Sequence, residues 1–169
     1  MTNNTESYEM KLLWPSAPGE FRDEIVNFWL KHGALPQKDQ ADARLSEVAM
    51  LALDSSGAIA AASSIFSHHY PPLGHAFYFF RCFVHPDHRR AGLAVRLINE
   101  VYDHLDIRFK KGSDPSIIGM IAAAENPMFN REHNEAIWPR SGFVFVGYNA
   151  RGQQVRVRYF SGARIASKL

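Results

Sequence analysis

The chain has 169 residues, 46% of them apolar and 21% charged, with a formal net charge of +2 and a pI near 8.8. That length suits one domain, 1–169, with its own core, and so small an excess of positive charge argues against nucleic acid or an anionic membrane as the partner. A single cysteine, Cys82, excludes an internal disulfide framework and fits a reducing compartment. No apolar run is long enough to span a bilayer and the start, Met1–Ser7, is polar rather than signal-like, so the expected setting is the cytoplasm.

In chain order, residues 1–7 read as a loose end, and Tyr8–Trp14 as a first strand stopped by Pro15. Phe21, Ile25, Phe28 and Trp29 recur at helical spacing until Gly33, and Lys38–Arg44 forms a second, shorter helix. Glu47–Leu53 is apolar on both faces, as in a strand covered on both sides. The turn Asp54-Ser55-Ser56-Gly57 then returns the chain into a partner strand, Ala58–Ser67. His68–Gly74 reads as a loop, Phe77–Val84 as the central strand and His85–Arg90 as a polar turn. A helix follows, opening at Ala91-Gly92 with Leu93, Leu97, Ile98, Val101, Tyr102 and Leu105 on one face. Ile117–Ala124 is a buried strand, Asn126–Ile137 a helix ended by Pro139, and Phe143–Tyr148 with Val155–Phe160 a hairpin; residues 161–169 read as a second loose end.

The chemistry concentrates where the central strand meets its turn. A strand feeding a glycine-containing turn and then a helix presents unpaired backbone N–H groups at the positive end of the helix dipole, which favours an anion. Arg89, Arg90 and His88 crowd that point, and the small residues Ala91, Gly92 and Ala94 leave room for a phosphate oxygen to approach the backbone.

The spacing Val-x-Pro-x-x-Arg-x-x-Gly-x-Ala, carried by Val84, Pro86, Arg89, Gly92 and Ala94, resembles the pyrophosphate loop of the GNAT superfamily, the acyl-CoA-dependent N-acyltransferases. The order of elements from Tyr8 to Phe160 is similar to theirs as well. The resemblance implies an α/β (α+β) fold with a mixed, mostly antiparallel sheet of about six or seven strands, flanked by about four helices and splayed between strands 4 and 5. It implies acetyl-CoA (coenzyme A) as co-substrate, an amine acceptor, small molecule or protein, and direct attack in a ternary complex. Cys82, Val84, Arg89, Arg90, Ala91, Gly92, Leu93, Ala94 and Asn126 would then line the cofactor, with the Val84 amide polarising the thioester carbonyl. A homodimer is open, as is a module that binds acyl-CoA without turning it over.

Two departures from the family pattern bear on catalysis. Trp138 stands where many relatives carry a tyrosine that protonates the departing thiolate, and an indole N–H cannot hand over a proton as a phenol can. Tyr78 stands where many carry a strand glutamate, which leaves Glu125 and Tyr78 as the candidate proton acceptors, with Glu47 and His75 behind them. Cys82, inside an apolar strand, reads by default as a core thiol. His68, His69, His75, His85 and His88 lack metal-ligand spacing and read as surface histidines, with no metal expected.

Overall fold

A computed structural model describes residues 7–166; the expectation of a loose end over 1–6 and 167–169 lies outside them. Seven strands form one mixed sheet in the order β1-β2-β3-β4-β5-β7-β6. They are β1 (Glu9–Leu12), β2 (Val48–Leu53), β3 (Ile59–Tyr70), β4 (His75–Val84), β5 (Ile117–Ala123), β6 (Val144–Tyr148) and β7 (Gln154–Tyr159); the helices are α1 (Arg22–Lys31), α2 (Lys38–Arg44), α3 (Leu93–Lys110) and α4 (Pro127–Glu132). The β4–β5 pair is parallel, while β1–β2, β2–β3, β5–β7 and β6–β7 are antiparallel. The chain divides into two compact units, Met1–Ile65 with Cys82–Ile98, and Phe66–Arg81 with Asn99–Leu169.

In the first unit every residue of β2 is buried, as its two-faced apolar sequence requires. Ile25, Phe28 and Trp29 of α1 and Ala41 of α2 pack with Leu51 and Leu53 in one cluster, to which Phe83 at the end of β4 also belongs. The Asp54 carboxylate closes the β2–β3 turn by accepting from the amides of Ser56 and Ala58, at 2.8 and 3.1 Å, a local bond pattern that short acidic side chains favour in turns.

In the second unit Phe77, Ile118, Ile121, Val155 and Val157 form the core of the sheet. β5 and β7 approach closely at Gly119, where a Cβ would lie 2.6 Å from the Arg158 carbonyl oxygen and 2.9 Å from the Tyr159 Cα. Both are backbone atoms and cannot rotate away. Gly119→Ala is therefore expected to cost about 2 kcal/mol through forced displacement of β7, lowering Tm by roughly 5 °C in a thermal melt; an unchanged Tm would refute the close approach.

Three sequence expectations need correction. The stretch 68–74 is not a loop: β3 continues to Tyr70, and only Pro71–Leu73, a single 3-10 turn, separates it from β4, which starts at His75. The exposed His68 and His69 disguise a strand that ends only at two prolines unable to donate to a ladder. The helix expected over 126–137 stops at Glu132, because the carbonyls beyond it bond a side chain rather than helical amides, as described below. The end at 161–166 is tied down: the Ser161 amide donates to Asp106 Oδ1 at 2.6 Å, Ala163 packs on the second core, and the Ala166 amide donates to His75 Nε2 at 2.9 Å.

Candidate functional site

The end of β4 has one free edge. The His85 amide donates to the Ala60 carbonyl at 2.8 Å, so odd-numbered amides here face β3 and even-numbered ones face the opposite side. On that opposite side the parallel ladder with β5 ends at Phe80↔Ala122, whereas β4 runs on to Val84. The backbone groups of Cys82 and Val84 therefore lie past the last ladder pair, where an extended ligand can add itself as a strand.

The turn that follows is a 3-10 helix, Pro86–Ala91, closed by Gly92 in the left-handed conformation with φ +71°. This reversal lets α3 start afresh at Leu93, where the opening amides of a helix have no intrahelical acceptor; the Arg96 amide donates to the Gly92 carbonyl at 3.1 Å. Arg89 and Arg90 are exposed beside those amides; Leu93 is buried and anchors the helix start, and Ala94 is half-buried. Cys82 through Ala94 thus form one contiguous strand-turn-helix stretch in the first unit. All six apolar residues expected on the packed face of α3 are buried.

Cys82 departs from its expected burial. Its side chain is exposed to solvent, yet the density of protein around it pushes the thiol up to about 12. A thiol so raised is a poor nucleophile at neutral pH.

Of the other candidates, Glu47 lies in the first unit, half-buried in the turn just before β2, and Tyr78, Glu125, Asn126, His75 and Trp138 lie in the second. Tyr78 is no base: its phenol is buried, bonded to Asp114 and near the Phe160 ring, and burial first, then Asp114, raises its pKa. It is level with Met120 of β5, so Glu125 stands five residues further along the chain, roughly 15 Å at strand rise. Glu125 is exposed just past β5. Asn126 caps α4, its Oδ1 accepting from the Met128 amide at 2.9 Å, and only its NH2 remains for a ligand. His75 is occupied at both ring nitrogens, Nδ1 on the Leu73 carbonyl at 2.7 Å and Nε2 on the Ala166 amide.

Trp138 is committed elsewhere too. Its indole N–H donates to the His133 carbonyl at 3.1 Å, and the Arg156 guanidinium stacks over its ring at 4.5 Å. Arg156 is fully buried and donates to the carbonyls of Glu135 (2.5 Å) and His133 (3.3 Å) and to Gln154 Oε1 (2.7 Å). Sequence reading missed this arginine because it reads as one polar position of an alternating strand. It also missed an open depression of about 390 Å³ lined by Asn99, Asp103, Arg140, Ser141 and Arg158, whose residues come from α3, β7 and the approach to β6 and meet only in the folded chain.

Among the described residues no group of three or more His, Cys, Asp or Glu could hold a metal ion, and no helix is long and apolar enough to cross a membrane. No family model and no curated protein matches the sequence. Solved structures do match the fold. A phosphinothricin acetyltransferase of the GNAT superfamily from Sinorhizobium meliloti, in complex with AcCoA, is 15% identical over 96% of this chain and 93% of its own, with TM-score 0.62. A GNAT-family acetyltransferase from Streptococcus pneumoniae is 14% identical over 92% of this chain and 100% of its own, with TM-score 0.61. A GNAT-family N-acetyltransferase from Escherichia coli, in complex with CoA, is 12% identical over 95% and 86%, with TM-score 0.61. The chain has the GNAT fold.

Proposed function

We propose that this chain is an N-acyltransferase that moves an acetyl group from acetyl-CoA to a primary amine. The observation that carries this reading is the stretch 82–94: a strand end with a free edge, then a left-handed glycine that restarts a helix of 18 residues beside two exposed arginines. The free edge suits the amide-bearing pantetheine arm, and the Val84 N–H points to the side where a thioester carbonyl would gain charge. The amides from Arg89 to Ala94 suit the pyrophosphate, for the dipole and the side chains add there. The neighbours that hold AcCoA and CoA support the same reading through the shared fold. The acetyl thioester supplies the activated acyl group.

A thermal-shift titration tests it, with acetyl-CoA against a nucleotide diphosphate that lacks the pantetheine arm. Acetyl-CoA at about 100 times its Kd should add about 2.7 kcal/mol, or roughly 5–10 °C for a chain of this size, and the nucleotide much less. No shift at millimolar acetyl-CoA would overturn the reading. A shift with no acetyl transfer to any primary amine would instead leave an acyl-CoA-binding module.

A further inference from the structure

The proposed reaction needs a proton acceptor, because a primary amine is an ammonium ion at neutral pH and has no lone pair with which to attack. The central strand offers none: β4 has no carboxylate, and its tyrosine is buried on Asp114.

One residue past Val84, His85 continues the row of odd-numbered β4 side chains that faces α1. Phe83 meets Phe28 edge-on at 5.7 Å, and the His85 ring lies over Phe28 at 6.5 Å, 26° from parallel. The His32 ring, at the C-terminal cap of α1, stands edge-on to His85 with centroids 4.2 Å apart. Both are half-buried, and His88 adds a third ring 5.4 Å from His85.

The pair is oriented at one end. His85 Nδ1 accepts from the Asp87 amide at 3.1 Å, so in the neutral ring the proton sits on Nε2. His88 Nδ1 is bonded to the Tyr8 hydroxyl at 2.8 Å. His32 is the member of the column whose ring has no such anchor among the described hydrogen bonds.

From this geometry we infer that His32, backed by His85, is the general base that deprotonates the acceptor amine at the Val84 end of β4. The inference rests on the acyltransferase reading above. Neutral His32 takes one proton from the ammonium, and the freed lone pair forms the C–N bond to the acyl carbon as the C–S bond breaks. The second nitrogen proton passes to the departing thiolate, giving the amide and the free thiol, and His32 returns its proton to solvent.

The surroundings keep His32 ready for this. Burial, then His85 and Lys31, lower its pKa, while Asp87 acts in the opposite sense; His88 completes the charged and titratable groups of the column. The imidazole is therefore neutral at pH 7, the state a base requires.

The test uses His32→Gln, with His32→Asn as a second variant because asparagine suits a helix C-cap. Acetyl transfer to a panel of a polyamine, an aminoglycoside, an amino acid and a peptide is followed from pH 5.5 to 10. Wild type should level off at a lower pH than an ordinary imidazole would give, since the surroundings hold His32 below the usual histidine value. Both variants should lose about 100-fold in kcat at pH 7, regain rate at alkaline pH as free amine accumulates, and respond to added imidazole. An unchanged profile in either folded variant overturns the assignment, as does acetyl-CoA binding in wild type without transfer to any amine of the panel. Absence of acetyl-CoA binding in wild type overturns the acyltransferase reading itself.

Discussion

Replacing Arg156 by methionine is expected to be the most destabilising single change considered. Its guanidinium is fully buried and no carboxylate pairs with it among the described salt bridges. Burial draws its pKa below the ordinary arginine value, with Glu135 pulling the other way. The cation is held instead by the negative ends of the carbonyls of His133, Glu135 and Ala136 and by Gln154. Methionine fills much of the volume but donates to none of them; an acceptor left short of its bond costs of the order of 1–3 kcal/mol, and the low end applies here because His133, Glu135 and Ala136 are exposed residues whose carbonyls water can partly serve.

The expected loss for Arg156→Met is about 4 kcal/mol, or roughly 12 °C in Tm. Arg156→Lys retains a charge and fewer, differently placed donors, and should recover about half of that loss. Because the guanidinium stacks on Trp138, the indole emission should also shift, and that change should vanish in a Trp138→Phe background. A Tm change below about 3 °C for the methionine variant would mean that the clamp contributes little.

This arginine also explains where sequence reading stopped. Residues 126–137 carry helix-forming side chains, and nothing local says that the chain leaves the helix after Glu132. The cause lies some twenty residues on, in β7: Arg156 takes the carbonyls that helical amides would have used, and Ile137 then pairs with Val144 as an isolated bridge. A competitor that distant leaves no periodic trace. The His32–His85 contact is hidden for the same reason, joining a helix end to a turn more than fifty residues later. What was legible had a local cause. The 3.6-residue period of α3, the two-faced apolar run of β2 and the glycine spacing of the 84–94 turn each specify their own conformation. Tyr78 was half legible: alternation along β4 places it on the same face as the buried Phe80, which marks it as a packing residue.

Charge reversal at the turn should abolish acetyl-CoA binding without unfolding the chain. Arg89→Glu removes an exposed cation beside the first amides of α3 and places a carboxylate there. Gly92→Glu adds a second carboxylate and puts a Cβ on a residue whose φ of +71° disfavours any L side chain. Together they set two like charges against the pyrophosphate in place of one opposite charge, and the side chain at 92 obstructs the approach to the backbone. The expected loss is about 10³-fold in Kd, equivalent to about 4 kcal/mol. Gly92→Ala serves as the control, since it introduces the same backbone strain, about 1 kcal/mol, with no charge. That variant should lower Tm by a few degrees yet keep most of its affinity, and its acetyl-CoA binding should weaken with salt as in wild type. If the double variant binds acetyl-CoA as wild type does in isothermal titration, the pyrophosphate does not sit on this turn. If Gly92→Ala alone loses as much affinity as the double variant, the glycine acts through backbone approach and the arginine charge is dispensable. A graded loss, small for alanine and complete for the double variant, is the result that a phosphate-binding turn of this geometry requires.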